Sequence, residues 1–306
     1  MTPYSVEVKN LTVQFGPFTA VNDISFAVQP GEIFGFLGAN GAGKTTTIRV
    51  LCGLLIPTAG EVRVTGLNPK DGLEAIKARV GYMSQKFTLY QDMSVEENLD
   101  FTSALHKIPR DVQLKRQKEW LEFIRFKENP KRLVRELSGG TKQEVSLVAA
   151  LLHDPEIVFL DEPTAGVSPV FRARFWSIIQ GLSKRGKTVF VTTHYMDEAE
   201  QCGRIALMRD GRIIANGSPA ELKKLAFAEP IYEITPKTHS RTWLETLKKE
   251  SSVEEVNPYG MRFHIVVKDA ASWQATANRM AGDFDQKPIQ PSLEDVFIRL
   301  VEGKAK

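Results

Sequence analysis

The chain has 306 residues, 42% of them hydrophobic and 25% charged, which is enough apolar material for one large domain plus a small one and is not the composition of a disordered chain. Its 40 basic and 37 acidic side chains leave a formal net charge of +3, so it lacks the broad basic footprint of a nucleic-acid binder, and no nucleic-acid partner is expected. Cys52 and Cys202 form no CxxC pair and fit core positions in a reducing compartment better than a disulfide framework.

The opening MTPYSVEVKN has no basic n-region leading into an apolar h-region, and no apolar run reaches the ~20 residues of a bilayer span. Any membrane role is therefore expected to run through a partner. Alternation at Val6, Val8, Leu11, Val13 and Phe15, followed by ISFAV, predicts antiparallel strands with one buried face. EIFGFL is a continuous apolar run, as for a strand buried on both faces, and KTTTIRVLCGLL beyond it has a helical pattern.

Between these two lies GANGAGKTT. Gly38, four residues, then Gly43, Lys44 and Thr45 is the spacing of a phosphate-binding loop: glycines let backbone N–H groups close on an anion, Lys44 adds positive charge, and Thr45 offers a hydroxyl to Mg²⁺. The strand before it and the helix after it are the context such a loop needs.

PTAGEVRVTG reads as a turn and short strand, and residues 86 to 150 as a helical insertion, with MSVEENLDFTSAL its clearest helix. LSGG follows at Leu137 to Gly140, directly ahead of a helix with an apolar face at Val145, Val148, Leu151 and Leu152. Ser138, Gly139 and Gly140 at a helix N-terminus form a second candidate anion site. EIVFLDEP then ends a buried strand on two carboxylates. Asp161 is suited to hold Mg²⁺ and Glu162 to orient or deprotonate an attacking water, a pairing that implies hydrolysis.

From there to RIALMRDGRIIANG, buried strands alternate with helical segments, the pattern of a mainly parallel sheet. Composition changes at Pro230, which places a domain boundary between residues 1–229 and 230–306. The later segment, with IYEITP, TWLETLKKE, MRFHIVV, SWQATANRMAG and SLEDVFIRLVE, reads as a small α+β appendage. His239 and His264 are too isolated there to mark a metal site.

Taken together, Phe15, GANGAGKTT, Gln85 in GYMSQ, LSGG, FLDEP, TAGVSP and His194 in TTHYMDEAE resemble, in order, the nucleotide-binding subunits of ATP-binding cassette (ABC) transporters. The resemblance covers about residues 4 to 225. GEIFGFLG and TTHYMDEAEQC are similar to the export-type branch that pairs with separate permeases for drugs, lipids or polysaccharides. It implies a P-loop α/β cassette with an antiparallel β subdomain and a helical subdomain, and the cofactors ATP and Mg²⁺. Phe15 would stack on adenine, with simple core packing as its alternative. Gly38, Asn40, Gly41, Gly43, Lys44, Thr45 and Thr46 would line the phosphates and metal; Gln85 would touch Mg²⁺ and the attacking water, and His194 the γ-phosphate.

The same resemblance implies a head-to-tail dimer, with itself or with a sister subunit, in which Ser138 and Gly140 complete the ATP site of the other copy. A membrane permease would hold the pair at the cytoplasmic face, docked near KFTLYQDMSVEENL with Phe87 and Leu89 as contacts. An importer subunit and a soluble ABC ATPase remain alternatives; the second would carry a long coiled-coil insertion or two cassettes, and neither is in this sequence. Three positions depart from the family pattern, one of them Thr141, where a larger residue is common. Glu144 stands where a basic residue is common, which implies an acid near the second triphosphate, and Ser168 stands where an aspartate is usual, still able to cap the helix that Pro169 begins.

Overall fold

The computed structural model describes residues 4–69, 72–237 and 241–301, so His239 lies outside the described residues. Contacts divide the chain into two compact units at Pro219/Ala220, ahead of the composition change at Pro230. The division falls inside the helical segment SPAELKKLA, whose residues from Ala220 on belong to the second unit.

The first unit opens with β1 (Val6–Phe15) and β2 (Phe18–Val28), an antiparallel hairpin. The predicted alternation holds for Val6, Val8, Leu11 and Val13, all buried, with the register shifted across Asn10. It does not extend to Phe15, which is 49% exposed, so core packing is not its role. Next come β3 (Ile33–Leu37), α1 (Lys44–Leu51), β4 (Ala59–Val64), α2 (Leu73–Lys77) and β5 (Val80–Met83). β4 joins the hairpin in a three-stranded antiparallel sheet of order β2-β1-β4.

The helical insertion contains α3 (Val95–Leu105), α4 (Arg110–Phe123), a 3-10 turn (Val134–Glu136) and α5 (Gly139–Leu151). The start of α3 is set by a reciprocal cap: Ser94 Oγ accepts from Glu97 N, and Glu97 Oε2 accepts from Ser94 N at 2.7 Å. Leu89, expected to face a partner, is buried instead, while Phe87 and Tyr90 are exposed.

β6 (Ile157–Asp161), α6 (Pro169–Lys184), β7 (Thr188–Thr193), α7 (Met196–Ala199), β8 (Arg204–Arg209) and β9 (Arg212–Gly217) complete the first unit. The large sheet has the order β5-β6-β7-β3-β8-β9, parallel except for β9. The Phe190 ring lies within 6.0 Å of those of Phe26, Phe34, Phe36 and Phe159, so one aromatic cluster joins the two sheets. In this register Leu37 pairs Thr193, and Asp161 pairs Thr192. Three loops, those after Leu37, Asp161 and Thr193, therefore leave the same edge of the sheet, where parallel α/β sheets bind ligands.

The second unit holds α8 (Pro219–Ala226), β10 (Ile231–Pro236), α9 (Arg241–Lys248), β11 (Val253–Tyr259), β12 (Arg262–Val267), α10 (Ala270–Arg279), β13 (Phe284–Ile289) and α11 (Leu293–Val301). Its antiparallel sheet, of order β11-β12-β10-β13, packs Ile234 and Ile265 against Trp243, Trp273 and Phe284. Buried His264 is not isolated: its Nδ1 lies 2.7 Å from Asp295 Oδ1 on α11, a pairing that ties the last helix to the sheet.

Candidate functional site

The loop from Gly38 to Gly43 is wound so tightly that its first and last residues have no room for a side chain. Gly43 has φ +108 and a Cβ there would collide with the Ala20 carbonyl; one at Gly38 would run into the Met208 carbonyl. Lys44 opens α1 and is almost wholly buried. Its Nζ donates to the carbonyls of Gly38 (2.7 Å) and Ala39 (3.1 Å) and lies 3.2 Å from Glu162 Oε1.

Glu162 is the hub of the site. Its other oxygen accepts from Gln85 Nε2 at 3.0 Å and lies 3.3 Å from His194 Nδ1, which is not aligned as a hydrogen bond. The residue has φ +49, a conformation that few non-glycine residues adopt, and its backbone N–H is held by Thr192 Oγ1 at 2.9 Å. Backbone strain at a strand end turns this carboxylate out of the sheet and into the cavity.

Asp161, the last residue of β6, meets the helix that follows the phosphate loop. Its Oδ1 accepts from Thr192 Oγ1 (2.7 Å) and Thr45 Oγ1 (3.2 Å), while Oδ2 is buried with no hydrogen-bond partner. Burial pushes the Asp161 carboxyl up from its usual range, and the two threonine hydroxyls pull it back. Phe15, Phe18, Asn40, Gly41, Gly43, Thr45, Thr46, Gln85 and Glu162 line one cavity of about 500 Å³ with Lys44. That volume is within the range of small-molecule sites.

The second candidate anion site lies elsewhere on the unit. Ser138 Oγ accepts from Thr141 N at 3.2 Å and caps α5; Gly140 packs so closely on the Phe171 ring that a Cβ would overlap it. Ser168 caps α6 through the Phe171 N–H, with Pro169 in the first turn, so this helix starts as the sequence predicts.

Glu144 corrects the reading from sequence. It does not project toward any second phosphate site but is buried on α5, its Oε1 2.9 Å from Arg174 Nε on α6. Arg174 also donates to the Ile124 carbonyl at 2.8 Å, so one guanidinium joins three helical segments. Burial pushes the Glu144 carboxyl up to about 7, and Arg174 offsets only part of that.

A family model described as "ABC transporter" matches residues 21–165. The chain is 35% identical over 300 residues to the "Nod factor export ATP-binding protein I" of Burkholderia lata, covering 96% of each. The chain belongs to the ATP-binding subunits of ABC transporters. The subunit is also 45% identical over 218 residues to the "Probable multidrug ABC transporter ATP-binding protein YbhF" of Escherichia coli (strain K12); there the match spans 71% of this chain but 38% of the relative. In fold it is similar to the ATP-binding cassette MJ0796, solved as a dimer in a post-hydrolysis state with ADP and Pi, with TM-score 0.63 and 26% identity, covering 70% of this chain and 98% of that one.

Sequence reasoning missed the threonine layer beneath this ABC subunit's site. Thr192 holds both Asp161 and the Glu162 backbone, and the only mark it leaves is a pair of hydroxyls closing an otherwise apolar strand, TVFVTT. Replacing Thr192 by Val keeps the shape and removes both bonds. The expected loss is about 1–3 kcal/mol of stability, read as a lower melting midpoint, because a buried carboxylate and a buried N–H lose a partner together.

Proposed function

We propose that this subunit binds ATP and Mg²⁺, hydrolyses the γ-phosphate and drives export of a drug-, lipid- or polysaccharide-type substrate through a partner permease. The observation that carries the reading is the convergence of Lys44, Gln85 and His194 on the carboxylate of Glu162, which together with Lys44 and Gln85 lines the cavity. The names of relatives that act in multidrug or Nod factor export support the direction.

In this reading Lys44 and the loop amides hold the phosphates, Phe15 stacks on adenine, and Glu162 takes the proton of the attacking water. His194 contacts the γ-phosphate. Asp161 fits a magnesium ion: its buried Oδ2 lacks a partner and Thr45 Oγ1 stands 3.2 Å from Oδ1, an all-oxygen donor pair of the kind Mg²⁺ takes beside phosphates and water. Gln85 would offer its amide oxygen to the same ion. When bound, the ion neutralises developing charge on the phosphates. Asp161→Asn is expected to remove the Mg²⁺ dependence of ATP binding; retention of that dependence, followed by titration with a fluorescent ATP analogue, would reject the assignment.

The subunit pairs head to tail, with a second copy or a sister subunit, so that Ser138, Gly139 and Gly140 of one face the ATP of the other. The dimeric MJ0796 cassette supports this arrangement. No helix among the described residues is long and apolar enough to cross a membrane, so the permease would hold the pair at the cytoplasmic face. A second cavity of about 430 Å³, with exposed Tyr90, Phe101 and Leu105 on its walls, is the place where that permease docks. Capture of the subunit from its own membranes should bring down an integral membrane protein, and Tyr90→Asp should abolish the capture while ATP turnover persists. Capture of no membrane protein by the wild type would count against the transport role.

A further inference from the structure

Glu198 is a buried carboxylate, 1% exposed, that the hydrolytic scheme does not use. It sits on α7, a single turn of four residues directly after His194, which is too short to fix the histidine by its own helical bonds. Its Oε2 accepts from Thr193 Oγ1 at 2.6 Å, and the same hydroxyl oxygen accepts from Tyr195 N at 3.0 Å. The residues on both sides of His194 are therefore fastened to one point.

The other oxygen, Oε1, accepts from Thr164 Oγ1 at 2.5 Å, in the TAGVSP loop that follows Glu162. Arg172, near the start of α6, approaches the same oxygen at 3.4 Å, reaches Asp197 Oδ2 at 3.4 Å, and lies 3.8 Å over the Tyr195 ring. One carboxylate thus joins two loops from neighbouring strands, one ending in the γ-phosphate ligand and the other in the cap of α6. These are charge-assisted bonds in a low-dielectric setting, where they are short and directional.

We propose that Glu198 is a positioning residue: through Thr193 it sets the placement of His194, and through Thr164 it makes that placement depend on the TAGVSP loop. The proposal rests on the reading of His194 and Glu162 as the hydrolytic pair. A displacement of about 1 Å at a reacting group can cost on the order of 10²-fold in rate. The phosphate loop has no bond to Glu198, so ATP binding should not share that loss.

The test is steady-state ATP turnover by the full chain, with Glu198→Ala, Glu198→Gln, Thr193→Val and Thr193→Ser beside His194→Ala, and thermal melting of each. Ala and Val should lower kcat on the order of 10²-fold with KM for ATP shifted less than about 3-fold. Gln and Ser preserve polar links to the threonine pair and should keep kcat within about 10-fold of wild type. If Glu198→Ala fails to fold, the Thr193 pair carries the comparison, since Val is close in shape to Thr.

Unchanged kcat in a folded Thr193→Val, or an equal loss in Val and Ser, overturns the proposal. Slow His194→Ala beside an unimpaired Thr193→Val would remove the positioning role and leave the hydrolytic reading standing. Full turnover in His194→Ala would remove both.

Discussion

Glu162→Gln is expected to lower ATP turnover by on the order of 10²-fold or more and to leave the ATP-bound chain as a dimer that outlasts size-exclusion chromatography. Gln matches Glu in shape, so the loop geometry and the contact to Gln85 Nε2, 3.0 Å in the native site, can survive. What is lost is the ability to take a proton. Lys44 also loses its anionic neighbour at 3.2 Å, which frees its charge for the triphosphate and favours tighter ATP binding. Slower hydrolysis and tighter binding act in the same direction on a dimer that ATP holds together. The measurement is turnover beside elution volume with and without Mg-ATP. Turnover within about 3-fold of wild type would show that another group activates the water, and a monomer that persists with ATP bound would point to a sister subunit.

Legibility in the sequence followed periodicity and spacing. The phosphate loop was readable because glycine positions, a lysine and a hydroxyl are local, and Asp161 with Glu162 because an apolar run ends on them. β11 and β13 were not. VEEVNPY and FDQKPI each carry a proline and two charges, and both lie at the edges of their sheet, where one side of the strand needs no partner and such residues are tolerated. Edge strands therefore lack the apolar alternation that exposed β12 as a strand. Glu144 was misplaced for another reason. Its place after LSGG in the family pattern implied an acid near the second triphosphate, and only the structure shows Arg174 arriving from α6 to meet it. Phe15 shows the converse, an aromatic residue whose alternation looks like core although the hairpin register leaves it in the cavity wall.

The burial of Glu144 gives the subunit a stability that should fall as pH rises. Its carboxyl ionises near the ordinary value of 4.5 when unfolded and near 7 when folded. Below the first value both states are protonated and the group contributes no pH dependence. Between the two values the unfolded chain has released a proton that the folded chain still holds, so stability declines with rising pH; above about 7 the penalty is constant. Each pH unit across that window is worth ~1.4 kcal/mol, so over the 2.5 units between 4.5 and 7 the penalty at pH 8 reaches about 3 kcal/mol. Glu144→Gln removes the titration while keeping the volume. It should melt several degrees higher than wild type at pH 8, at roughly 2–4 °C per kcal/mol for a domain of this size, and close to wild type at pH 5. Arg174→Ala should do the opposite at pH 8, because it leaves the carboxylate buried without its cation. Melting differences that are equal at pH 5 and pH 8 would mean that Glu144 is solvated or fully compensated by Arg174. The α5–α6 contact would then owe nothing to this ion pair and would rest on packing such as that of Gly140 against Phe171.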